Sequence, residues 1–150
     1  MIIRIAQAIV LAITLIAPAV WADASSPVGL WRTIDDNTGK ARSLVRIVEK
    51  GGVYEGRVEQ LLDRQPDDDP DGLCRMCEGQ RKDKPILGMT ILWGLIRDGD
   101  QYTGGEILDP KNGKTYRAKM KLLDGGRQLE VRGFIGVSLF GRSQVWIRDQ

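Results

Sequence analysis

The sequence has 150 residues, with 22 Lys and Arg, 20 Asp and Glu, 18 Gly, 2 Cys and no His. The absence of histidine excludes Ser-His-Asp and Cys-His catalysis and any histidine-ligated metal site. The formal net charge is +2, and basic and acidic residues are interspersed along the chain. A nucleic-acid-binding protein would instead show a basic stripe, so we expect no nucleic-acid partner.

Residues 1–22 have the pattern of a secretory signal peptide. Arg4 precedes an apolar run, and the segment ends on Val20-Trp21-Ala22, the small-x-small spacing that signal peptidase accepts. We predict cleavage after Ala22, with cleavage after Ala24 as the alternative. The apolar run is shorter than the roughly 20 residues that a bilayer requires. We therefore expect an exported, soluble periplasmic protein, without stable membrane insertion, whose residues 23–150 form a single domain.

Alternating apolar and polar residues, separated by short glycine turns, dominate the rest of the sequence. In residues 116–122 the apolar side chains fall on one face and three cations on the other, which is typical of a strand with one buried face. Gly51-Gly52, Asp98-Gly99, Asn112-Gly113 and Gly125-Gly126 are typical hairpin turns. The pattern predicts strands near residues 28–35, 42–50, 53–62, 90–97, 101–108, 113–123, 127–134 and 139–148.

Strands in so short a domain must protect their edges, and a meander does so by closing on itself. We therefore predict an all-β fold, an antiparallel up-and-down barrel of about eight strands. Residues 63–87 are polar and interrupted by prolines, so they predict a long surface loop before the fourth strand.

This loop contains Cys74 and Cys77, the two cysteines of the chain. In an exported protein a lone pair of cysteines is most simply a disulfide. A redox-active pair is an alternative, although no βαβ unit supports it and neighbouring acids would raise the thiol pKa. A metal site is a third reading, in which carboxylates would have to supply the remaining ligands.

The same loop formally matches a calcium-binding pattern. Asp67, Asp69, Asp71 and Glu78 occupy the ligand positions of such a loop, and a glycine stands at the turn position. Pro70 lies inside the match, and no amphipathic helix precedes it. We favour a solvated acidic loop and keep calcium as the weaker hypothesis, so no metal or other cofactor is expected.

Gly29, Trp31 and Arg148 form a constellation that resembles the lipocalin-type barrels. In those barrels a Gly-x-Trp on the first strand packs beneath an arginine from the end of the chain and closes one end. The resemblance implies that role for these three residues here. The alternative interpretation treats Trp31 as an ordinary core aromatic.

Carboxylates are the remaining candidates for catalytic residues. Asp109, beside Lys114 and Tyr116, has the composition of a polar site. Asp109-Pro110 is also an ordinary turn opener. Alternation with Leu129 and Val131 predicts that Arg132 points out of the barrel.

Several longer stretches resemble the domain-of-unknown-function (DUF) 2147 family of exported Gram-negative proteins, over residues 29–148. The resemblance rests on short motifs and on longer stretches. The motifs are Trp31, Asp35-Asp36, and the Cys74 and Cys77 pair followed by Pro85-Ile86-Leu87-Gly88; the stretches are residues 104–116, 132–136 and 139–148. The resemblance implies a secreted, lipocalin-like (calycin) barrel and no assigned activity.

We expect a monomeric, non-catalytic protein that binds a small apolar or amphipathic, lipid-like ligand inside the barrel. Trp31, Tyr54, Trp93 and Phe134 are the predicted lining. Two alternatives remain open at this point. A cell-envelope interaction module is favoured if side chains fill the barrel. An enzyme or thiol-redox protein is favoured if Asp109, Lys114 and Arg132 converge, or if Cys74 and Cys77 are reduced.

Overall fold

The computed structural model describes residues 23–149, so the predicted signal peptide lies outside the described residues. Eight antiparallel strands form a closed barrel, in which each strand pairs with its neighbours in sequence and the first pairs with the last. The strands are β1 (Gly29–Ile34), β2 (Ala41–Lys50), β3 (Val53–Leu61), β4 (Thr90–Asp98), β5 (Gln101–Asp109), β6 (Lys114–Leu123), β7 (Gln128–Phe134) and β8 (Gly141–Arg148). No helix within residues 23–149 is long and apolar enough to cross a membrane.

The predicted all-β, up-and-down barrel is confirmed, and each strand begins and ends within two residues of its predicted bounds. The glycine turns lie where the alternation placed them. Gly51 and Gly52, for example, join β2 to β3 with φ of 60° and 82°, a backbone conformation that costs glycine little.

The two ends of the barrel differ. The short hairpins at residues 51–52, 99–100 and 124–127 and the lead-in at residues 23–28 gather at one end, which we term the closed end. The opposite, open end carries residues 35–40, 110–113 and 135–140 and the long connection from β3 to β4. We term this connection, residues 62–89, the excursion.

Large side chains fill the half of the barrel next to the closed end. The rings of Tyr54 and Tyr102 meet edge to face with centroids 4.8 Å apart. Around them pack fully or almost fully buried side chains from five strands: Trp31, Val45, Ile47, Leu92, Leu95, Met120 and Leu129. Burial of this apolar surface is the main stabilising contribution in this half.

The seam between β1 and β8 is short and lies near the closed end. Two residue pairs define its register, Trp31 with Arg148 and Arg32 with Ile147, whereas β7 and β8 share seven pairs. The backbone N–H of Asp149 extends the seam by donating to the carbonyl of Leu30 at 2.8 Å. Closure of the barrel therefore depends on contacts beyond the strand ladder.

Arg148 supplies those contacts. Its guanidinium lies 4.3 Å from the centroid of the Trp31 ring. It donates to the carbonyls of Gly126 at 2.7 Å, Val28 at 3.0 Å and Ser26 at 2.7 Å. Burial lowers the pKa of Arg148, but a guanidinium remains charged at neutral pH. One cation thus ties β8 to the lead-in of β1 and to the β6–β7 turn.

The glycine at the start of β1 is required by this arrangement. Gly29 has φ of 143°, and a Cβ at this position would lie 2.8 Å from an Arg148 guanidinium nitrogen. Any side chain would therefore strain the backbone and displace the cation. Trp31 is held from its other edge, because its indole N–H donates to the Pro27 carbonyl at 2.7 Å.

We predict that Arg148→Met lowers the free energy of unfolding by about 3 kcal/mol, because three carbonyls lose a charged donor and the cation–π contact disappears. Urea denaturation followed by tryptophan fluorescence measures the loss. The control is Arg127→Gln, which removes an exposed ion pair to Asp124 at the same end and should leave the midpoint unchanged. Equal midpoints for Arg148→Met and the wild type would show that the closure does not depend on this cation.

Candidate functional site

The half of the barrel next to the open end is hollow. A cavity of about 930 Å³ opens there. Several inward-facing residues of this half are small or β-branched, among them Thr33, Ser43, Val58, Val131 and Gly133. Compared with the Trp, Leu, Ile and Met side chains of the closed half, they leave the centre of the barrel unfilled. The cavity is therefore a consequence of side-chain size at equivalent positions along the strands.

Most of the cavity wall is apolar. Strand residues and the excursion both contribute to it, with Val58, Leu61, Ile86, Ile91, Ile107, Val131 and Trp146 among the lining side chains. A concave apolar surface with few polar groups is the usual character of a small-molecule site.

Two hydrogen-bonded pairs add polar groups to this wall. The hydroxyls of Thr33 and Ser43 lie 2.8 Å apart across β1 and β2. The Asn112 side-chain amide donates to the Tyr116 hydroxyl at 3.0 Å. All four residues line the cavity, so a ligand in it can meet hydroxyl and amide groups as well as apolar surface.

The cavity is bordered by the part of the barrel where β1 and β8 diverge. Their register pairs end at Arg32 and Ile147, so the later residues of β1 face β8 without a strand ladder. Side chains bridge the gap: Asp36 lies 3.4 Å from the Arg142 guanidinium and 3.5 Å from the Gln144 amide. Because this ion pair is exposed, it contributes little stability. At the gap, therefore, side chains and not backbone hydrogen bonds complete the wall around the cavity.

The excursion covers another part of the open end. Three ion pairs join its acidic run to the barrel or to itself: Asp67 with Lys111 at 2.6 Å, Asp68 with Arg42 at 2.6 Å, and Asp69 with Arg75 at 2.8 Å. The hydrogen bond from Arg75 holds the pKa of Asp69 below its ordinary value. Since the folded pKa is lowered, this stabilisation is present at neutral pH and is lost only as the pH falls through that pKa.

These pairs bear on the calcium hypothesis. Asp67, Asp69 and Asp71 each bind a cationic side chain, so they do not turn toward a centre shared with Glu78. Within residues 23–149, no group of three or more Asp, Glu or Cys side chains is placed to hold a metal ion. The acidic run instead fixes the excursion to the open end.

Cys74 and Cys77 form a disulfide within the excursion. Both half-cystines are almost fully buried. The bond lies against the β5–β6 turn: Cys74 Sγ is 3.3 Å from the Pro110 carbonyl. Gly113, where φ is 72°, leaves no room for a Cβ against the Met76 carbonyl. The disulfide therefore helps to shape a close contact between the excursion and the barrel.

The four aromatic residues predicted to line the ligand site have different positions. Trp31 and Tyr54 fill the closed half, and neither borders the cavity. Trp93 lies on the outer face, where the Arg81 guanidinium covers its ring at 4.5 Å and Glu106 accepts its indole N–H at 3.0 Å.

Phe134 borders the cavity, but its ring lies 5.6 Å from the Arg117 guanidinium of the adjacent strand. The expected lining thus shifts from large aromatics to the smaller residues of the open half and to Trp146.

The residues considered for catalysis do not converge. Asp109 and Lys114 are opposite each other at the ends of β5 and β6, and the Asp109 carboxylate accepts the N–H of Lys111 in its own turn. Arg132 lies on the outer face, as the alternation predicts, and donates to the carbonyl of Ser138 at 2.6 Å. Asp109 and Lys114 are therefore neighbours at one turn, whereas Arg132 is held on the outer face of β7 by the loop that follows this strand.

We predict that Cys74→Ala with Cys77→Ala leaves the barrel folded and loosens the excursion, because the bond closes a short loop and contributes only about 2 kcal/mol. Circular dichroism should give the wild-type β spectrum, while trypsin should cleave residues 62–89 faster. Loss of the β spectrum at room temperature would contradict this account. Reduced wild-type protein is the matched control, and it should resemble the variant.

Comparison with solved structures gives a lipocalin relative. The fold matches protein HP1028 from Helicobacter pylori, described as belonging to the lipocalin family, with a TM-score of 0.69 and 20% identity. The match covers 83% of this chain and 84% of that chain, so the barrel is lipocalin-like. No curated protein matches the sequence.

The sequence also matches a family profile over residues 29–148, the span of the whole barrel from β1 to β8. This is the region over which the sequence motifs showed their resemblance. The chain therefore belongs to the family described as uncharacterized protein conserved in bacteria (DUF2147).

Proposed function

We propose that the protein binds a small apolar or amphipathic ligand in the cavity of its open half. The observation that carries the proposal is the division of the barrel interior, packed with large side chains at one end and hollow at the other. The cavity volume of about 930 Å³ falls within the range of about 300–1,000 Å³ that small-molecule sites occupy. An interior filled along its whole length would instead have favoured an interaction module.

The wall suggests how such a ligand would lie. An acyl chain or other apolar group would contact Val131, Ile107 and Trp146. A polar group would find hydrogen-bonding partners in the Thr33 and Ser43 hydroxyls or, nearer the rim, in Asn112 and Arg142. This distribution fits an amphipathic molecule better than a fully charged one, because Arg42 and Arg142, which border the cavity, each have a carboxylate partner already.

We also propose that the ligand is bound and not converted. The position of Arg132 away from Asp109 and Lys114 supports this, as does the burial of Cys74 and Cys77 in a disulfide. General acid–base or nucleophilic catalysis needs such groups within hydrogen-bonding reach of one substrate.

Export to the periplasm forms the last part of the proposal. The signal-peptide pattern of residues 1–22 supports it, and the disulfide is suited to an oxidising compartment. Protein recovered from its own host with residues 1–22 still attached would contradict it.

We predict that Val131→Phe abolishes ligand binding by filling the cavity from the inner face of β7. With a dansyl-labelled medium-chain fatty acid as probe, the wild type should bind with enhanced, blue-shifted fluorescence. The variant should bind at least about tenfold more weakly, because the added ring occupies space that the ligand requires.

The matched control is Val145→Phe, which makes the same change on the adjacent strand, where the side chain is 39% exposed on the outer face. This variant should bind the probe as the wild type does. Thermal unfolding of both variants checks that each is folded. Unchanged probe binding by folded Val131→Phe, or equal loss in the control, would place the ligand outside the cavity and overturn the proposal.

A further inference from the structure

The β7–β8 loop, residues 135–140, carries an unusual concentration of exposed apolar side chains. Ile135, Val137, Leu139 and Phe140 are 70%, 60%, 79% and 69% exposed. Four of the ten exposed large hydrophobic residues in the described chain thus fall on this one loop at the open end. Single exposed apolar residues are ordinary, but a contiguous group marks an interaction surface.

Hydrogen bonds hold this loop in its exposed conformation. Ile135 and Phe140 are joined by a backbone hydrogen bond of 3.1 Å. Arg132 donates to the carbonyls of Ser138 at 2.6 Å and Leu139 at 3.2 Å, and Arg117 donates to the carbonyl of Gly136 at 3.2 Å. The backbone is satisfied by these bonds, so the apolar side chains are presented outward on a shaped loop.

A group of cations lies directly beneath the loop on the outer face of β6 and β7. Lys119 is opposite Arg132 across the strand pair, and Arg117 is opposite Phe134 at its edge. Two like charges facing each other on a sheet are destabilising. Glu106, opposite Arg117 on β5, accepts the indole N–H of Trp93. We term Arg117, Lys119 and Arg132 the basic group.

We propose that the β7–β8 loop docks the protein onto an anionic phospholipid surface. The apolar side chains would enter the boundary between headgroups and acyl chains, while the basic group faces lipid phosphates. An apolar tip bordered by Lys and Arg is the combination that binds such interfaces. The anionic surface also relieves the repulsion between Lys119 and Arg132, which a neutral apolar partner would leave in place.

The position of the loop connects this surface to the cavity. Ile135 and Phe140 border the cavity, and so do Arg142 and Gln144, which follow the loop in β8. The gap bridged by Asp36 therefore lies beside the docking surface. Transfer of a lipid from the bilayer through this gap rests on the proposed function, whereas docking itself does not.

Flotation with phospholipid vesicles tests the docking surface. The chain starting at Asp23 contains every described strand and avoids the apolar segment of residues 1–22, which would bind vesicles by itself. The wild type should bind vesicles of phosphatidylcholine with phosphatidylglycerol about tenfold more tightly than vesicles of phosphatidylcholine alone. Val137→Asn with Leu139→Asn, which changes two exposed loop residues that do not border the cavity, should reduce binding to the anionic vesicles at least about tenfold.

Two further variants separate charge from burial. Lys119→Gln removes a cation without removing a hydrogen bond to the loop, and it should weaken binding to anionic vesicles a few-fold, mainly at low salt. The control is Val53→Asn with Ile96→Asn, which replaces two exposed apolar residues paired at the closed end. This control should bind vesicles as the wild type does.

Absence of wild-type binding to both kinds of vesicle would overturn the proposal, as would equal losses in the loop variant and the closed-end control. A concentration-dependent dimer that only the loop variant disrupts, without vesicle binding, would assign the loop to a second copy of the chain. Val131→Phe should still bind vesicles, and the loop variant should still bind the fatty-acid probe. Failure of docking is thus distinguishable from failure of ligand binding.

Discussion

Closure of the barrel depends on the contacts that the Arg148 guanidinium makes. Two register pairs join β1 to β8, and a seam this short would leave two strand edges exposed without an additional link. The cation provides that link by packing on Trp31 and donating to three carbonyls from the lead-in and the β6–β7 turn. The sheet is therefore closed at one end by side-chain contacts, and the β1–β8 ladder does not extend to the other end.

The interior of the barrel also differs between its closed and open ends. Large inward side chains pack the closed half, whereas the open half retains a cavity. The excursion and the gap bridged by Asp36 surround the cavity with weaker, more polar contacts. The packed core and the cavity thus lie at opposite ends of the same eight strands.

The strands could be predicted because alternation and glycine turns are local properties, and the closed end because Gly29, Trp31 and Arg148 form a recognisable set. The ligand site could not be predicted in the same way. Aromatic size suggested Trp31, but a hollow interior is created by small residues such as Thr33 and Val131. The prediction that Trp93 lines the interior is wrong, because the φ of 73° at Gly94 interrupts the alternation of β4 and leaves Trp93 on the outer face. The ion pairs of the acidic run with Arg42 and Lys111 could not be predicted either, because they join residues that only the tertiary fold brings together.

Native mass spectrometry of the protein purified from its own host tests the central claim, that the hollow half holds a ligand, most directly. We expect a chain that begins at Asp23, with Ser25 as the alternative start, carrying one lipid-sized mass that collisional activation releases. The Val131→Phe variant from the same host should have the same chain mass without the adduct. A wild-type protein free of any bound mass, or an adduct retained equally by Val131→Phe, would contradict ligand binding in the cavity.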